Sequence, residues 1–259
     1  YYAVPKLMKR PLYSHVLSLI AFFTIAFFYT GVGAHHLLQA PIPEWAKTIG
    51  VIMSALMLVP VLTFAVNIML TARGESARIM HNIPLRFIMS GFFMYVLTSV
   101  QGTFQSFRST NAFLHFSQWP IGHAHLALLG GFGFLVVGLA YWIVPQILKT
   151  QIFSVRLTNL SYWLAMLGFV IFFSAMTTAG LVANSTWWVH FDLVAVLPAL
   201  KVHFIVRAVG GGLVVLGAYV FAINLLATCI QAARNGKGQE PQFYLHHDST
   251  ELVAPEDHG

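Results

Sequence analysis

The sequence has little charge and almost no cysteine. Charged residues make up 8% of its 259 positions and hydrophobic residues 58%, whereas about 25% of a typical soluble domain is charged. Such a chain has too few polar side chains for a soluble surface and too many apolar ones for disorder. The single cysteine, Cys229, excludes a disulfide framework, a C-x-x-C-H haem attachment and a paired-thiolate copper site. The net charge of +6 is therefore read as loop charge on a membrane protein, with no nucleic-acid partner.

Long charge-free stretches dominate the rest of the sequence. A helix needs about 20 apolar residues to cross a bilayer, and six stretches without Asp, Glu, Lys or Arg reach that length: 11–43, 48–72, 87–107, 109–148, 157–191 and 208–233. They predict an all-α, polytopic membrane bundle with six transmembrane helices, near 12–32, 48–72, 84–106, 120–146, 157–182 and 202–232. The surplus segments are rich in Trp, Pro, His and Asn and are expected to form loops or re-entrant pieces: 34–43, 109–119 and 183–201.

The distribution of basic residues predicts the orientation. With six spans, both ends of the chain lie on one side, and that side holds ten of the 14 basic residues: Lys6, Lys9, Arg10, Arg73, Arg78, Arg86, Lys149, Arg156, Arg234 and Lys237. The other side holds four: Lys47, Arg108, Lys201 and Arg207. Because cytoplasmic loops carry the excess of Lys and Arg, both termini are predicted to be cytoplasmic. Residues 1–234 then form the bundle and 235–259 a polar cytoplasmic tail.

Two histidine pairs fall at the outer ends of predicted spans, where ionisable residues are costly and usually functional. His35 and His36 follow Gly31 and Gly33, which allow the helix to unwind so that adjacent imidazoles can converge on one ion. Neutral imidazole suits copper, zinc or iron. The alternative is a pair of interfacial histidines bound to water or lipid head groups.

The second pair lies early in the fourth span. His123 and His125 are two residues apart, so on a helix they point about 200° apart and can serve two different centres. The alternative is that neighbouring helices satisfy both imidazoles. Because the first pair ends an outward-going span and the second begins an inward-going one, all four histidines are expected at a similar depth.

A polar stripe leads towards these histidines from the cytoplasmic side. Tyr29 lies two helical turns before His36, and Ser18 lies eleven residues before Tyr29, which leaves the two only about 20° apart on a helix. Ser14 lies one turn before Ser18. The stripe predicts a proton path through ordered water, although each hydroxyl could instead bond to its own helix backbone.

These residues resemble a known family. The runs Tyr1–Lys6, Tyr13–His15, Tyr29 with His35–His36, Ala40–Trp45 and Gly122–His125 resemble, in order and spacing, the catalytic subunit of cbb3-type (C-family) haem-copper oxidases of the bacterial inner membrane. The resemblance covers most of the chain. It matches the second half of that subunit, the last six of twelve core helices.

The resemblance implies a role for each residue in turn. His35 and His36 would be two of three copper ligands, and His123 would be the proximal ligand of the high-spin haem b. His125 would be one axial ligand of the low-spin haem b. Tyr29 would be the redox tyrosine.

Further implied roles concern protons, haem propionates and partners. Ser18 matches a position in the family's proton channel, with Ser14 beside it, and Arg108 and His115 would be partners of haem propionates. The third copper histidine and the second axial histidine would come from the first half of the subunit. The resemblance also implies c-type cytochrome subunits and cytochrome c as the electron donor. Gln101 departs from the pattern, because the family usually carries Glu there, and it keeps hydrogen bonding without the charge.

Three functions remain open from the sequence. The first is the core of a respiratory terminal oxidase that reduces O₂ to water with proton uptake. The second is a nitric oxide reductase of the same superfamily, which has non-haem iron and nearby glutamates and lacks the tyrosine. Tyr29 and the absence of Glu from the predicted spans favour the oxidase. The third is a non-catalytic haem-bearing subunit that only transfers electrons.

Overall fold

A computed structural model describes residues 1–190 and 192–235. Within these ranges the chain contains α-helices, one 3₁₀ turn and one π-helical segment, and no strand. The helices are α1 Ala3–Met8, α2 His15–Val32, α3 Glu44–Leu56, α4 Leu58–Thr71, α5 Ser76–His81, α6 Ile83–Ser106, α7 Arg108–Leu114, α8 Gln118–His125, α9 Phe134–Leu148, α10 Val155–His190 and α11 Leu193–Asn235. The predicted polar tail lies outside the described residues, apart from Asn235.

Six helical segments are long and apolar enough to cross a membrane, which confirms the predicted bundle. They are His15–Leu37, Glu44–Thr71, Ile83–Ser106, Gln118–Leu148, Val155–Val189 and Val196–Arg234. Their bounds agree with the predicted spans to within a few residues for the first four. The charge-free stretches locate these helices because a bilayer has no water to solvate a charged side chain.

Two of the spans are interrupted. The second changes from α3 to α4 at Met57, where Pro60 cannot donate a backbone hydrogen bond to the carbonyl of Leu56. The fourth passes from α8 through a π-helical segment, Leu126–Gly133, into α9. Such segments occur often at functional sites, and this one begins directly after His125.

Helix α6 lies at the centre of the bundle. Its first half is buried on all sides, with Leu85, Phe87 and Ile88 at most 2% exposed. Glycines bring the neighbouring helices close. A Cβ atom on Gly91 would lie 2.6 Å from the carbonyl oxygen of Gly131, so α6 and the π-helical segment meet backbone to backbone. The fourth span is thereby held against α6, which fixes the position of α8 and its two histidines.

One expectation about the outer loops was wrong. Residues 183–201 were expected to be a loop, but residues up to His190 continue α10 and residues from Leu193 belong to α11. At about 1.5 Å per residue, both helices are far longer than the roughly 30 Å hydrocarbon core. They extend together because each buries the other's face, and Pro198 is accommodated inside α11.

The other two predicted loops contain short helices. A 3₁₀ turn, Gly33–Leu37, follows α2 directly, and only 38–43 of the first predicted loop lacks helical structure. Helix α7 occupies most of the second loop. The unwinding expected after Gly31 and Gly33 is not present, because the chain tightens there into a 3₁₀ turn that carries both His35 and His36.

Candidate functional site

Helices α2, α3, α6 and α8 meet around a group of histidines. The imidazole rings of His35 and His36 lie 4.1 Å apart between centroids. His123 of α8 is close enough to both to interact with them electrostatically, and His115 interacts with His36 in the same way. The structure therefore brings four of the predicted site residues close together, from three separate parts of the chain.

His35 is held in one orientation by Ser54 of α3. The Nδ1 atom of His35 lies 2.8 Å from Ser54 Oγ, and that hydroxyl donates to the carbonyl of Gly50 at 2.6 Å. Because the hydroxyl proton is already committed, Ser54 Oγ accepts the Nδ1–H of His35. The proton on Nδ1 leaves a lone pair on Nε2, and this buried atom has no hydrogen-bond partner. A ligand histidine fixed through its other nitrogen has this arrangement.

His123 and His125 are also held through Nδ1. His125 Nδ1 lies 2.7 Å from the carbonyl oxygen of Ile121, which can only accept, so Nδ1 carries the proton. Thr98 of α6 donates to the carbonyl of His123, and its oxygen lies 3.3 Å from His123 Nδ1. In the His125 ring Nε2 therefore keeps its lone pair, and in the His123 ring the contact with Thr98 is made through Nδ1. Neither Ser54 nor Thr98 could be singled out from the sequence, because single hydroxyl residues in apolar helices are common.

The two rings face different neighbours. His123 lies against α6, where a Cβ atom on Gly102 would stand 3.5 Å from its Nε2. His125 lies against α10, with its ring centroid 5.0 Å from that of Phe172. The divergence expected from the H-x-H spacing is present, and the missing side chain of Gly102 keeps the space next to His123 Nε2 open.

The other predicted site residues lie around the histidine group, and their surroundings differ. Gln101 Oε1 is buried without a hydrogen-bond partner. Arg108 is exposed and is bound to Glu44 and Thr48, each at 2.8 Å, so in the described chain it joins α7 to α3. Tyr29 is 66% exposed and lies on the face of α2 that the described chain does not cover. An electrostatic interaction places it near Tyr95 of α6.

The two predicted path serines differ in their surroundings. Ser14 caps α2 by accepting from the amide of Leu17 at 3.2 Å. Ser18 donates to the carbonyl of His15 at 2.6 Å and lines a cavity of about 680 Å³ between α2, α4 and α6. Tyr95 lines the same cavity, which is otherwise largely apolar.

The donor set fits copper and haem iron. Neutral imidazole nitrogens are the preferred ligands of both, and the buried Nε2 of His35 has no hydrogen-bond partner. Within residues 1–190 and 192–235 there is no cluster of three or more histidine, cysteine or carboxylate side chains that could hold a metal ion. The described histidines therefore do not form a complete metal site of three or more such ligands by themselves.

The family model and the relatives that match this chain point to one family. The family model described as cytochrome c and quinol oxidase polypeptide I matches residues 1–213. A cytochrome c oxidase subunit 1 homologue of Bradyrhizobium diazoefficiens is 31% identical over 236 residues, which are 88% of this chain and 43% of that protein. The cbb3-type cytochrome c oxidase subunit CcoN1 of Stutzerimonas stutzeri is also 31% identical, over 90% of this chain and 51% of its own length.

A solved structure supports the fold. The chain superposes on a haem-copper terminal oxidase with a TM-score of 0.72 at 20% identity, covering 92% of this chain and 46% of the other. The chain spans about half the length of the curated relatives it matches. The six-helix membrane bundle, the family model and the relatives agree, and the chain belongs to the cytochrome c and quinol oxidase polypeptide I family.

Proposed function

We propose that the chain is part of the catalytic core of a respiratory terminal oxidase of the cbb3 type, which reduces O₂ to water. The observation that carries this proposal is the buried, unpartnered Nε2 of His35, held towards His36 and His123 by the Ser54 bond. An unsatisfied polar atom inside a membrane bundle is costly, so a ligand that accepts its lone pair is expected. When bound, copper and two haems would supply the electrons and the binding site for O₂.

Each histidine would hold one atom in place. His35 and His36 would bind copper, His123 the high-spin haem iron, and His125 the low-spin haem iron. The bonds to Ser54 and the Ile121 carbonyl would fix the tautomers of His35 and His125, and Thr98 would hold His123 through Nδ1, so that these three rings need not reorient when their ligands bind.

Protons would reach the site from the cytoplasmic side along α2. Ser18 borders the cavity. Tyr29 lies on the same stripe of α2, eleven residues closer to the histidines, and near Tyr95. A phenol can give up an electron and a proton together, so Tyr29 would donate both during O₂ reduction. Gln101 would contribute a hydrogen-bonding oxygen near His123 without a charge. His115 and Arg108 would lie near haem propionates at the outer surface.

The proposal also concerns location and partners. The protein would lie in the bacterial inner membrane with both termini in the cytoplasm. It would work with a segment that carries the missing ligand histidines, with c-type cytochrome subunits and with cytochrome c as donor.

The test is copper and haem analysis of the purified complex with His35→Ala. Copper should fall to less than about a tenth of the wild-type content, while both haem spectra remain. Ser54→Ala should weaken copper binding by about 10-fold to 100-fold, as loss of a partner that orients a ligand does. His203→Ala, at the outer end of α11, is the matched control and should keep full copper. Non-haem iron in place of copper would favour a nitric oxide reductase, and absence of any non-haem metal from the wild type would contradict both.

A further inference from the structure

The cytoplasmic ends of two hairpins are joined by the same set of hydrogen bonds. In the first hairpin, Asn67 of α4 accepts from the amide of Ser14 at 2.9 Å and donates to the Ser14 carbonyl at 2.7 Å. Thr71, one turn further along α4, accepts from the amide of Tyr13 at 3.0 Å. We call this set of bonds the first latch. Asn67 and Thr71 are both buried, which makes these bonds difficult to replace with water.

The second latch has the same pattern between α10 and α11. Asn224 accepts from the amide of Ser154 at 3.1 Å and donates to its carbonyl at 3.0 Å. Thr228 accepts from the amide of Phe153 at 3.0 Å. In each latch the serine hydroxyl caps its helix by accepting from the backbone amide three residues later, at 3.2 Å. The threonine hydroxyl donates to the carbonyl of the asparagine one turn earlier.

One hydroxyl is used differently in the two latches. Thr158, one turn after Ser154, accepts from Asn224 at 2.9 Å and belongs to the second latch. Its counterpart Ser18, one turn after Ser14, is instead bonded to the His15 carbonyl and borders the cavity. The first latch therefore leaves Ser18 free of Asn67.

The two latched helices differ in what else holds them. Helix α2 buries one residue, Ala21, and exposes most of its large apolar side chains. Apolar contacts have no preferred direction, so they permit sliding along the helix axis. Close contacts occur near the outer end, where a Cβ atom on Gly50 would lie 2.8 Å from the amide nitrogen of His35. The latch is the matching attachment at the inner end.

Helix α10 is held against α11 along its length. A Cβ atom on Gly168 would lie 2.7 Å from the carbonyl oxygen of Gly210, and one on Gly217 would lie 2.9 Å from the amide nitrogen of Ala165. These contacts fix the axial position of α10 without the second latch. The glycine contacts of α10 thus extend along its length, whereas those of α2 lie near its outer end, at Gly31 and Gly50.

We propose that Asn67 and Thr71 are positioning residues, which set the axial position of α2 and thereby the depth of Tyr29 and His35. Ser14 and His35 are separated by about 30 Å at 1.5 Å per residue. A slip of one residue would move His35 by about 1.5 Å and turn it by about 100°, which breaks its bond to Ser54. The positioning role itself does not depend on the proposed function. Only its effect on copper rests on that proposal.

The test compares matched variants of the intact complex in nanodiscs: Asn67→Ala and Thr71→Val against Asn224→Ala and Thr228→Val. Backbone hydrogen exchange is measured next to each latch and in segment 33–38, about 30 Å from the first latch. Each variant should exchange about fivefold faster beside its own latch, as expected for a lost buried hydrogen bond. Only the Asn67 and Thr71 variants should also speed exchange in 33–38. Thr71→Ser should restore the wild-type pattern.

Copper spectroscopy gives a second reading. The copper signal should change with Asn67→Ala and stay unchanged with Asn224→Ala. If the wild type holds no copper, the proposed function fails, while exchange in 33–38 still tests the latch. Three results would each overturn the positioning role. These are faster exchange confined to residues 13–17, unchanged exchange in residues 13–17, and an equal effect of Asn224→Ala on exchange in segment 33–38.

Discussion

At the scale of single residues, the site is defined by which nitrogen of each histidine is committed. His35 donates through Nδ1 to Ser54, and His125 donates through Nδ1 to the Ile121 carbonyl. Both leave Nε2 with a lone pair. The chemistry thus depends on neutral hydroxyl and carbonyl acceptors, since the described site has no carboxylate to raise the basicity of its imidazoles.

The opposite directions of His123 and His125 lead to a prediction about two haems. His125→Ala should remove the six-coordinate low-spin spectrum, because His125 faces α10 and the space beyond it. His123→Ala should leave that spectrum and disturb the haem that binds carbon monoxide, because His123 faces α6 and the His35–His36 pair. Optical spectra of reduced and carbon monoxide-treated complexes measure both. A loss of the same haem in both variants would contradict the assignment.

Tyr29 gives a prediction about turnover. Tyr29→Phe removes one oxygen atom from an exposed position on α2, so folding and haem content should stay as in the wild type. O₂ consumption should fall at least about 100-fold, the lower range for loss of a group that transfers protons during catalysis. Oxygen-electrode assays with haem quantification measure this. The control is Tyr219→Phe, an exposed tyrosine of α11, which should keep its activity.

At the scale of helices, glycine contacts decide how α10 and α11 pack. A Cβ atom on Gly210 would lie 2.6 Å from the amide nitrogen of Phe172, whereas one on Gly212 would meet nothing within 4 Å. Gly210→Ala should therefore push the two backbones apart and cost about 1–3 kcal/mol, the usual cost of overpacking. Gly212→Ala should be neutral or slightly stabilising, because alanine favours a helix over glycine. Thermal unfolding in detergent measures the difference, and equal melting temperatures would contradict it.

The helices show what the sequence can and cannot predict. Charge-free stretches locate six spans, because a charge near the centre of a bilayer is strongly penalised. They do not locate the ends of α10 and α11, because an apolar Trp187 is compatible with a loop at the interface and with a helix packed on its neighbour. The two latches were also missed, since Asn67 and Asn224 look like isolated polar residues until the helices are paired.

The sequence also predicts part of the site, namely its histidines, but not the residues that orient them. The spacing of His123 and His125 dictates their divergence, and the glycines before His35 allow the turn that brings it near His36. The partners that orient these rings come from other helices. No local pattern links Ser54 to His35 or Thr98 to His123, because the contacts depend on how α3 and α6 pack around α2 and α8.

At the scale of the whole molecule, one side of the bundle is uncovered. On α2 the aromatic side chains Phe22, Phe23, Phe27 and Tyr29 are between 63% and 66% exposed. Lipid could cover the phenylalanines, but the phenol of Tyr29 at this depth requires a polar partner. The turn that carries His35 and His36 follows this helix directly. A further protein segment packed there would supply that partner and reach the two histidines.

The last prediction is that the chain does not assemble the site alone. A copper centre of this type needs a third imidazole, and a low-spin haem needs a second axial ligand. His15 begins α2 at the opposite end of the membrane, and His203 lies on α11, bonded to the Ala199 carbonyl at 3.3 Å. His115 is the one further histidine that interacts with His36, so it could fill one vacancy at most.

Expression of residues 1–259 should therefore yield less than one copper and fewer than two haems per chain, without oxidase activity. Co-expression with a six-helix segment that carries two further histidines should restore both haems and the copper. Covalent c-type haem would still require separate subunits, because Cys229 offers a single thiol. Metal analysis and haem extraction of the two preparations measure the difference. Two haems and one copper on the isolated chain, with O₂ consumption, would refute this dependence. We expect the isolated chain to fail because no group of three or more histidine, cysteine or carboxylate side chains in the described residues could hold a metal ion.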